Sequence, residues 1–162
     1  MLEIREVTID DLPEVEQLLS CIWADTYATF LSDKIIHHVT RLWENPELLR
    51  VQIENPHAHF LMATHSEGTV VGLSTASEDE AGTILLDRLY VHPHFQRHGI
   101  GSQLIEESVR RFPGAKAIHL EMEEKDIKGV KFYQKLGFSI IEKREDNAGE
   151  GVLTVLVMEK PV

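Results

Sequence analysis

One short stretch of this 162-residue chain combines residue types that could bind a phosphate. It is Gln96-Arg97-His98-Gly99-Ile100-Gly101, and it lies between an apolar run and a segment of helical period. A strand that passes into a helix through closely spaced glycines leaves the first N–H groups of the helix without partners, and the helix dipole adds positive charge there. Gly99 and Gly101 let an anion approach the backbone, and Arg97 can add a charged hydrogen bond. The stretch therefore predicts a phosphate-binding loop.

Glycine pairs of this kind occur in several classes of nucleotide site. A dinucleotide-binding loop needs Gly-x-Gly-x-x-Gly, and Leu104 stands where the third glycine would fall. A Walker loop needs Gly-Lys-Ser/Thr, which the sequence does not contain. Both classes are excluded.

A second stretch, 132–138, reads Phe-Tyr-Gln-Lys-Leu-Gly-Phe. Together with Leu-Tyr-Val-His-Pro ahead of the glycine loop, it resembles the acetyl-CoA-binding and C-terminal motifs of the GNAT family of N-acetyltransferases. Gln96, Gly99 and Gly101 match that family's Gln/Arg-x-x-Gly-x-Gly/Ala pattern in register. The resemblance implies a mixed α/β fold, in which helices flank a mostly antiparallel sheet that is splayed between its fourth and fifth strands.

Acetyl-CoA is the cofactor that the resemblance implies, wedged into the gap of the splayed sheet. Unpaired backbone groups of Leu89, Tyr90 and Val91 would bind its pantetheine arm like an added strand, because buried N–H and C=O groups need partners. By the family's geometry, the Leu89 N–H would also stabilise the oxyanion of the attacked thioester. The further contacts implied for the cofactor are Gln96, Arg97, His98, Gly99, Ile100, Gly101, Ser102, Asp126, Phe132, Tyr133 and Lys135.

The implied reaction is acyl transfer from the thioester to a primary amine. Tyr133 stands where many relatives have a tyrosine that protonates the leaving thiolate, and a phenol with a pKa of ~10 keeps its proton at neutral pH. The alternative is that Tyr133 only packs beside the cofactor with Phe132. Asp126 replaces an asparagine that is common in the family. A carboxylate accepts hydrogen bonds but cannot donate one unless it is protonated, so that cofactor contact must be remade or lost.

No general base is marked by the sequence. Asp87, His119, Glu121 and Glu123 lie on the two strands that would line the gap and could act through water, or could be ordinary exposed strand residues. Asp87 and Glu121 could instead attract a cationic substrate. In the family that the sequence resembles, the region between the first two helices borders the acceptor pocket, which makes Trp23 and Tyr27 candidate substrate contacts, although aromatic residues at helical spacing are more often part of a core.

The formal net charge of −11 argues against general binding to a nucleic-acid backbone and suits a cationic small-molecule substrate, if it reflects more than solubility. We therefore expect the acceptor to be a small cationic amine such as a polyamine. The alternatives are a protein N-terminal or lysine amine, a catalytically silent CoA-binding regulatory module, and a structural dimerisation protein.

Composition is that of a globular protein, with 43% hydrophobic and 27% charged residues, and it predicts a single domain over residues 1–162. No apolar run is long enough to cross a membrane, and a single cysteine, Cys21, excludes an internal disulfide and fits the cytoplasm. We expect this thiol to be buried. A homodimer remains open. Periodicity predicts strands at 2–7, 60–64, 70–76, 84–91, 116–122, 138–143 and 152–158, helices from about 11, 32, 48, 102 and 127, and a polar loop at 145–151.

Overall fold

The computed structural model describes residues 2–26, 32, 34, 45–148 and 151–162. Seven strands form one sheet in the order β1-β2-β3-β4-β5-β7-β6, in which β4 and β5 are parallel and the other neighbouring pairs are antiparallel. The expected mixed α/β fold is confirmed. The strands are β1 Glu3–Glu6, β2 Ala58–Thr64, β3 Val70–Glu78, β4 Thr83–Val91, β5 Ala117–Glu123, β6 Ser139–Ala148 and β7 Gly151–Pro161, and the helices are α1 Leu12–Thr26, α2 Pro46–Glu54, α3 Ile100–Arg110 and α4 Ile127–Lys135.

Helices cover both faces of the sheet, because alternate residues of each strand point to opposite sides. On the first face, α1 and α2 bury Leu19 and Leu49 against Met62 and Leu73. On the second face, α3 and α4 pack over a separate apolar layer. That layer includes Leu61, Val71, Ile84, Leu104, Ile105, Ile118, Leu120, Phe138 and Met158.

Strands β4 and β5 separate part-way along the sheet. They pair from Thr83↔Ala117 to Leu86↔Leu120 and no further, whereas β4 stays paired with β3 as far as Val91. A β-bulge lies at the point of separation, since Leu86 and Arg88 face consecutive residues of β3 and leave Asp87 as the extra residue. The bulge bends β4 and increases its local twist, which opens the predicted gap.

The C-terminal hairpin is longer than the sequence suggested. Residues 145–148, predicted as a loop, continue β6 and pair with β7 as far as Ala148↔Gly151. Their charged side chains gave a loop-like composition, but β6 lies at the edge of the sheet, where charged residues are common because they protect the edge.

Two other expectations meet different outcomes. Cys21 is exposed rather than buried, because it lies beyond the edge of the apolar stripe of α1, with its Sγ 3.9 Å from His92 Nε2. The predicted helix from Ser32 to Trp43 lies outside the described residues, apart from positions 32 and 34. In the part of the chain that is described, every helix is too short or too polar to span a membrane.

Candidate active site

The separation of β4 and β5 opens into a cleft of about 990 Å³. Its walls come from the outer halves of the two strands, the loop before α3, the first turns of α4 and the end of α1. Pairing between β4 and β5 stops where the cleft begins. Beyond that point, the backbone groups on this edge of β4 face the cleft instead of a neighbouring strand.

The direction of these backbone groups follows from one hydrogen bond. The His92 N–H donates to Val71 O of β3 at 2.8 Å, and successive residues of a strand direct their N–H groups to alternate sides. The N–H groups of Leu89 and Val91 therefore point toward the cleft, whereas Tyr90 directs its backbone to β3. The expectation that all three residues present free backbone groups is corrected to two, and Tyr90 lines the cleft with its side chain.

The predicted phosphate loop has the geometry of an open helix start. Arg97 and Gly99 adopt positive φ angles of 68° and 80°, which turn the chain sharply before α3. Gly99 occupies the N-cap position and has no side chain to satisfy the first N–H groups of the helix. The Gln96 side chain is used inside the loop, because its Nε2 donates to Val91 O at 3.2 Å. Gln96 thus fixes the loop to the end of β4.

Close packing joins this helix start to α4. A Cβ atom at Gly101 would lie 3.0 Å from Phe132 Cζ, closer than ordinary side-chain contacts allow. Glycine at this position therefore lets the first turn of α3 lie against the Phe132 ring. The two motifs found in the sequence meet here, one on each side of the cleft.

Tyr133 lines the cleft from α4 and is held in an aromatic cluster. Its ring centroid lies 5.1 Å from that of Phe132 and 5.4 Å from that of Phe138. Burial raises the pKa of the Tyr133 phenol well above its ordinary value, and the nearby Tyr90 and Asp126 raise it further. The hydroxyl therefore keeps its proton throughout the physiological pH range and can donate a hydrogen bond into the cleft.

Asp126 has a role within the chain that the sequence did not reveal. It is the N-cap of α4, and its Oδ1 accepts the Gly129 N–H at 3.0 Å. Burial raises the pKa of its carboxyl, while the bond from Gly129 opposes that shift. One carboxylate oxygen is thus committed to the helix start.

The candidate acids differ in what surrounds them. Burial raises the pKa of the Asp87 carboxyl. The positive charge of Arg88 opposes this shift, whereas the negative charge of Glu121 adds to it, so the carboxylates of Asp87 and Glu121 repel each other across the separated strands. Glu121 is held by Arg144, whose Nη1 donates to Oε2 at 3.1 Å. Glu123 turns back toward its own loop, since its Oε1 accepts the Lys125 N–H at 3.4 Å, and burial raises the pKa of its carboxyl.

Other predicted residues lie elsewhere. Trp23 is only 6% exposed and packs edge-on to Tyr90 with ring centroids 6.5 Å apart, so it supports the cleft from the core rather than lining it. His119 lies between two carboxylates, 3.4 Å from that of Glu159 and 3.9 Å from that of Glu121, and does not itself line the cleft. Lys135 is exposed at the end of α4, His98 lies in the loop and Ser102 lies in the first turn of α3, and none of the three lines the cleft. Tyr27 lies outside the described residues.

Sequence reasoning missed several charged residues that line or border the cleft. Their long-range contacts gave no local signal, although the lysines recur at helical spacing through the start of α4. They are Asp25, Lys125, Lys128, Lys131 and Arg144.

The site fits the cofactor that the sequence resemblance implied. Two outward-facing amides on β4 match an amide-rich arm, and the open start of α3 beside Arg97 matches a pyrophosphate. The residues that could hold it are Leu89 and Val91 through their backbone, the loop from Gln96 to Gly101, and Phe132 as a wall.

Comparison with known proteins agrees with this geometry. The sequence model of the acetyltransferase (GNAT) family matches residues 15–138, which is most of the chain. The chain is 26% identical to the spermidine N(1)-acetyltransferase of Thermoplasma acidophilum, over 98% of this chain and 96% of that protein. It is 27% identical to a probable N-acetyltransferase of Mycobacterium tuberculosis, over 86% of this chain and 80% of that protein.

Solved structures give the same result. The crystal structure of PaiA N-acetyltransferase from Thermoplasma acidophilum in complex with coenzyme A aligns with a TM-score of 0.85 and 27% identity, covering 100% of this chain and 99% of that one. A GNAT-family acetyltransferase from Staphylococcus aureus aligns with a TM-score of 0.79 at 15% identity, covering 99% of each chain, which shows the shared fold. The family match, the split sheet and the phosphate loop together establish that the chain belongs to the acetyltransferase (GNAT) family and is an acetyl-CoA-dependent N-acetyltransferase.

Proposed function

We propose that the acceptor is a small cationic amine, with polyamines as the preferred class. The observation that supports this proposal most directly is the charge of the cleft on the face of the sheet away from α3 and α4. Asp87 from β4, Glu121 and Glu123 from β5 and Asp25 from α1 line the cleft there, and these four carboxylates outnumber the buried Arg88 on the same face. Carboxylates around a concave site attract ammonium groups and raise their local concentration.

The opposite side of the cleft has the opposite charge. Arg97 lies in the loop before α3, and Lys125, Lys128 and Lys131 lie at the start of α4. Cations there suit the phosphates of acetyl-CoA. Asp126, the acid on this side, caps α4. Two partners of opposite charge are thus drawn to different sides of one gap, and their reacting groups would meet between those sides.

Within this site we assign roles to two groups. The Leu89 N–H, directed into the gap, would donate to the thioester oxygen as negative charge develops on it. The Tyr133 hydroxyl, which lines the same cleft, would donate to the departing sulfur. Complete proton transfer from a phenol with a raised pKa to a thiolate, whose conjugate thiol has a pKa near ~8.5, is uphill. We therefore assign Tyr133 the role of hydrogen-bond donor and expect the proton that the attacking amine loses to reach the sulfur through water.

Named relatives favour the same acceptor class. The Thermoplasma relative is a spermidine N(1)-acetyltransferase, and a Bacillus subtilis subsp. natto relative, 21% identical over 83% of this chain and 95% of that protein, is a probable spermine N(1)-acetyltransferase. These identities are low, so the charge of the cleft is the stronger support.

The test is thiol release from acetyl-CoA against a panel of amines of different charge. The panel contains spermidine, spermine, putrescine, a neutral-side-chain amino acid, an aminoglycoside and short peptides with free N-termini. We expect the highest kcat/KM with the polyamines, and we expect it to fall with ionic strength because the attraction is electrostatic. Turnover confined to the peptides would refute the proposal and favour a protein acceptor. A kcat/KM for polyamines that does not change with ionic strength would do the same.

A further inference from the structure

We propose that Arg144 sets how many positive charges the acceptor site prefers, and so acts as a specificity-determining residue. This inference rests on the proposed function, because it concerns the same acidic side of the cleft. Arg144 belongs to β6, at the edge of the sheet, two strands away from the cleft-lining residue that it contacts.

The geometry is a guanidinium held between two carboxylates. On one side, Arg144 donates from Nη1 to Glu121 Oε2 at 3.1 Å and from Nη2 to the other oxygen of the same carboxylate. On the other side, it donates from Nε to Asp146 Oδ1 at 3.0 Å and from Nη2 to Oδ2 at 3.2 Å. Paired bonds of this kind fix the planar guanidinium group in orientation as well as position. Arg144 is therefore placed beside the cleft by its partners.

This contact compensates one of the acids that an acceptor would meet. Glu121 lines the cleft and lies close enough to Asp87 to affect its titration, so the two carboxylates form one negative surface. The paired bonds from Arg144 occupy both oxygens of Glu121 and place a positive charge behind them. An ammonium group arriving at Asp87 is attracted, while each further ammonium group on the same molecule meets a second acid, Glu121, that is already paired with Arg144.

Removal of Arg144 should then favour the more highly charged amines. Arg144→Gln leaves the charge of Glu121 uncompensated and removes a cation that repels the ligand. Both effects strengthen the binding of an amine with several positive charges. Two unit charges about 7 Å apart in water change a binding constant by a factor of about three. We expect the affinity for spermine to rise about three- to tenfold in this variant at low ionic strength, with a smaller gain for spermidine and almost none for a monoamine.

The chain offers a matched control at the next residue. Lys143 also lies on β6, but its side chain points to the opposite face, where it pairs with Glu124. Lys143→Gln changes the net charge of the protein from −11 to −12, as Arg144→Gln does. Any difference between these two variants therefore reports the position of the charge rather than the total. Asp146→Asn is expected to act in the opposite direction, since it leaves Arg144 less compensated and should weaken spermine binding.

The experiment is isothermal titration of propylamine, putrescine, spermidine and spermine into the CoA-saturated protein at pH 8 and low salt, together with kcat/KM for those that are acetylated. The inference holds if the slope of affinity against ligand charge steepens in Arg144→Gln, stays unchanged in Lys143→Gln and is restored in Arg144→Lys. Equal slopes in Arg144→Gln and Lys143→Gln would overturn it. Failure of the wild-type protein to acetylate any amine would refute the proposed function, while the binding slopes would still decide the role of Arg144. Should Arg144→Gln fail to fold, an unchanged slope in Asp146→Asn would overturn the inference.

Discussion

Replacement of Tyr133 by phenylalanine separates the chemistry of this residue from its packing. The substitution removes one hydroxyl group and leaves the ring, whose contacts with Phe132 and Phe138 at 5.1 and 5.4 Å between centroids do not involve the oxygen. We therefore expect the fold and the KM for acetyl-CoA to be retained. A hydrogen bond to a group that becomes charged contributes about 1.5–3 kcal/mol, so kcat should fall about 10- to 150-fold.

The pH dependence adds a second test of the same assignment. Burial, Tyr90 and Asp126 all raise the pKa of the Tyr133 phenol, so its donor function is present at low pH and would be lost only above the range in which the protein is assayed. Any decline in the wild-type rate between neutral pH and about pH 9.5 should therefore also appear in the phenylalanine variant. The two profiles should be parallel and displaced by the factor in kcat.

The control for this prediction is Tyr90→Phe, which removes a phenol hydroxyl from the β4 side of the same cleft and leaves the Tyr133 hydroxyl in place. We expect a loss in kcat of less than about threefold, because Tyr90 supports the cleft from the opposite face and packs against Trp23. Steady-state kinetics with the best amine of the panel and thermal melting of all three proteins provide the measurements. Equal kcat values for the wild type and Tyr133→Phe, with similar melting temperatures, would show that Tyr133 only packs beside the cofactor.

Three other perturbations test the cofactor site, the acceptor site and the fold. Gly101→Val should raise the KM for acetyl-CoA about tenfold or more, because even a Cβ would meet Phe132 at 3.0 Å; saturation kinetics measures this, and an unchanged KM would contradict the packing argument. Asp87→Asn should raise the KM for spermidine about five- to tenfold, because it removes a charge that attracts the amine. It should not lower the melting temperature, since a carboxyl whose pKa is raised by burial opposes folding when it is charged. A drop in melting temperature would show a structural role instead. Asp11→Asn should lower the free energy of unfolding by about 1 kcal/mol at pH 7, because Arg5 and Thr8 bond to this carboxylate at the entry to α1. Arg5 holds the pKa of Asp11 well below its ordinary value of 3.8. The stability that Asp11 contributes is therefore fully present above pH 3.8 and is lost as the pH falls through the lower pKa of the folded state. Urea titrations at several pH values should show that the difference in unfolding free energy between the wild type and Asp11→Asn vanishes only in acid.

The phosphate loop was predictable because its properties are local. A glycine at the start of a helix and a second glycine two residues further on follow directly from the order of residues, and the structure places Gly99 at the N-cap and Gly101 against Phe132. The apolar alternation of β4 was visible for the same reason. The extents of the helices and strands were also close, except where charged residues on an edge strand imitated a loop.

The arrangement of charges around the cleft was not predictable in the same way. Glu121 and Arg144 are 23 residues apart, and they meet only because β5 and β6 both pair with β7, across which the two side chains reach each other. The role of Asp126 depends on where α4 begins, and the sequence allowed that start to shift by a residue or two. The position of Trp23 in the core was not predictable either, because helical spacing is the same for a core aromatic residue and for one that lines a pocket.

The β-bulge at Asp87 links these features. If Asp87 were paired with β3 in a regular ladder, β4 would keep its alternation, and Leu89 would direct its side chain to the face that Tyr90 now occupies. With the bulge, Asp87 and Arg88 occupy the face toward α1 and α2, and Leu89 returns to the face of α3. One inserted residue thus ends the pairing with β5, turns the Leu89 amide toward the gap and places a carboxylate at its entrance. The binding of a thioester and the attraction of an amine then depend on the same local irregularity, which explains why cofactor and acceptor can meet on one strand.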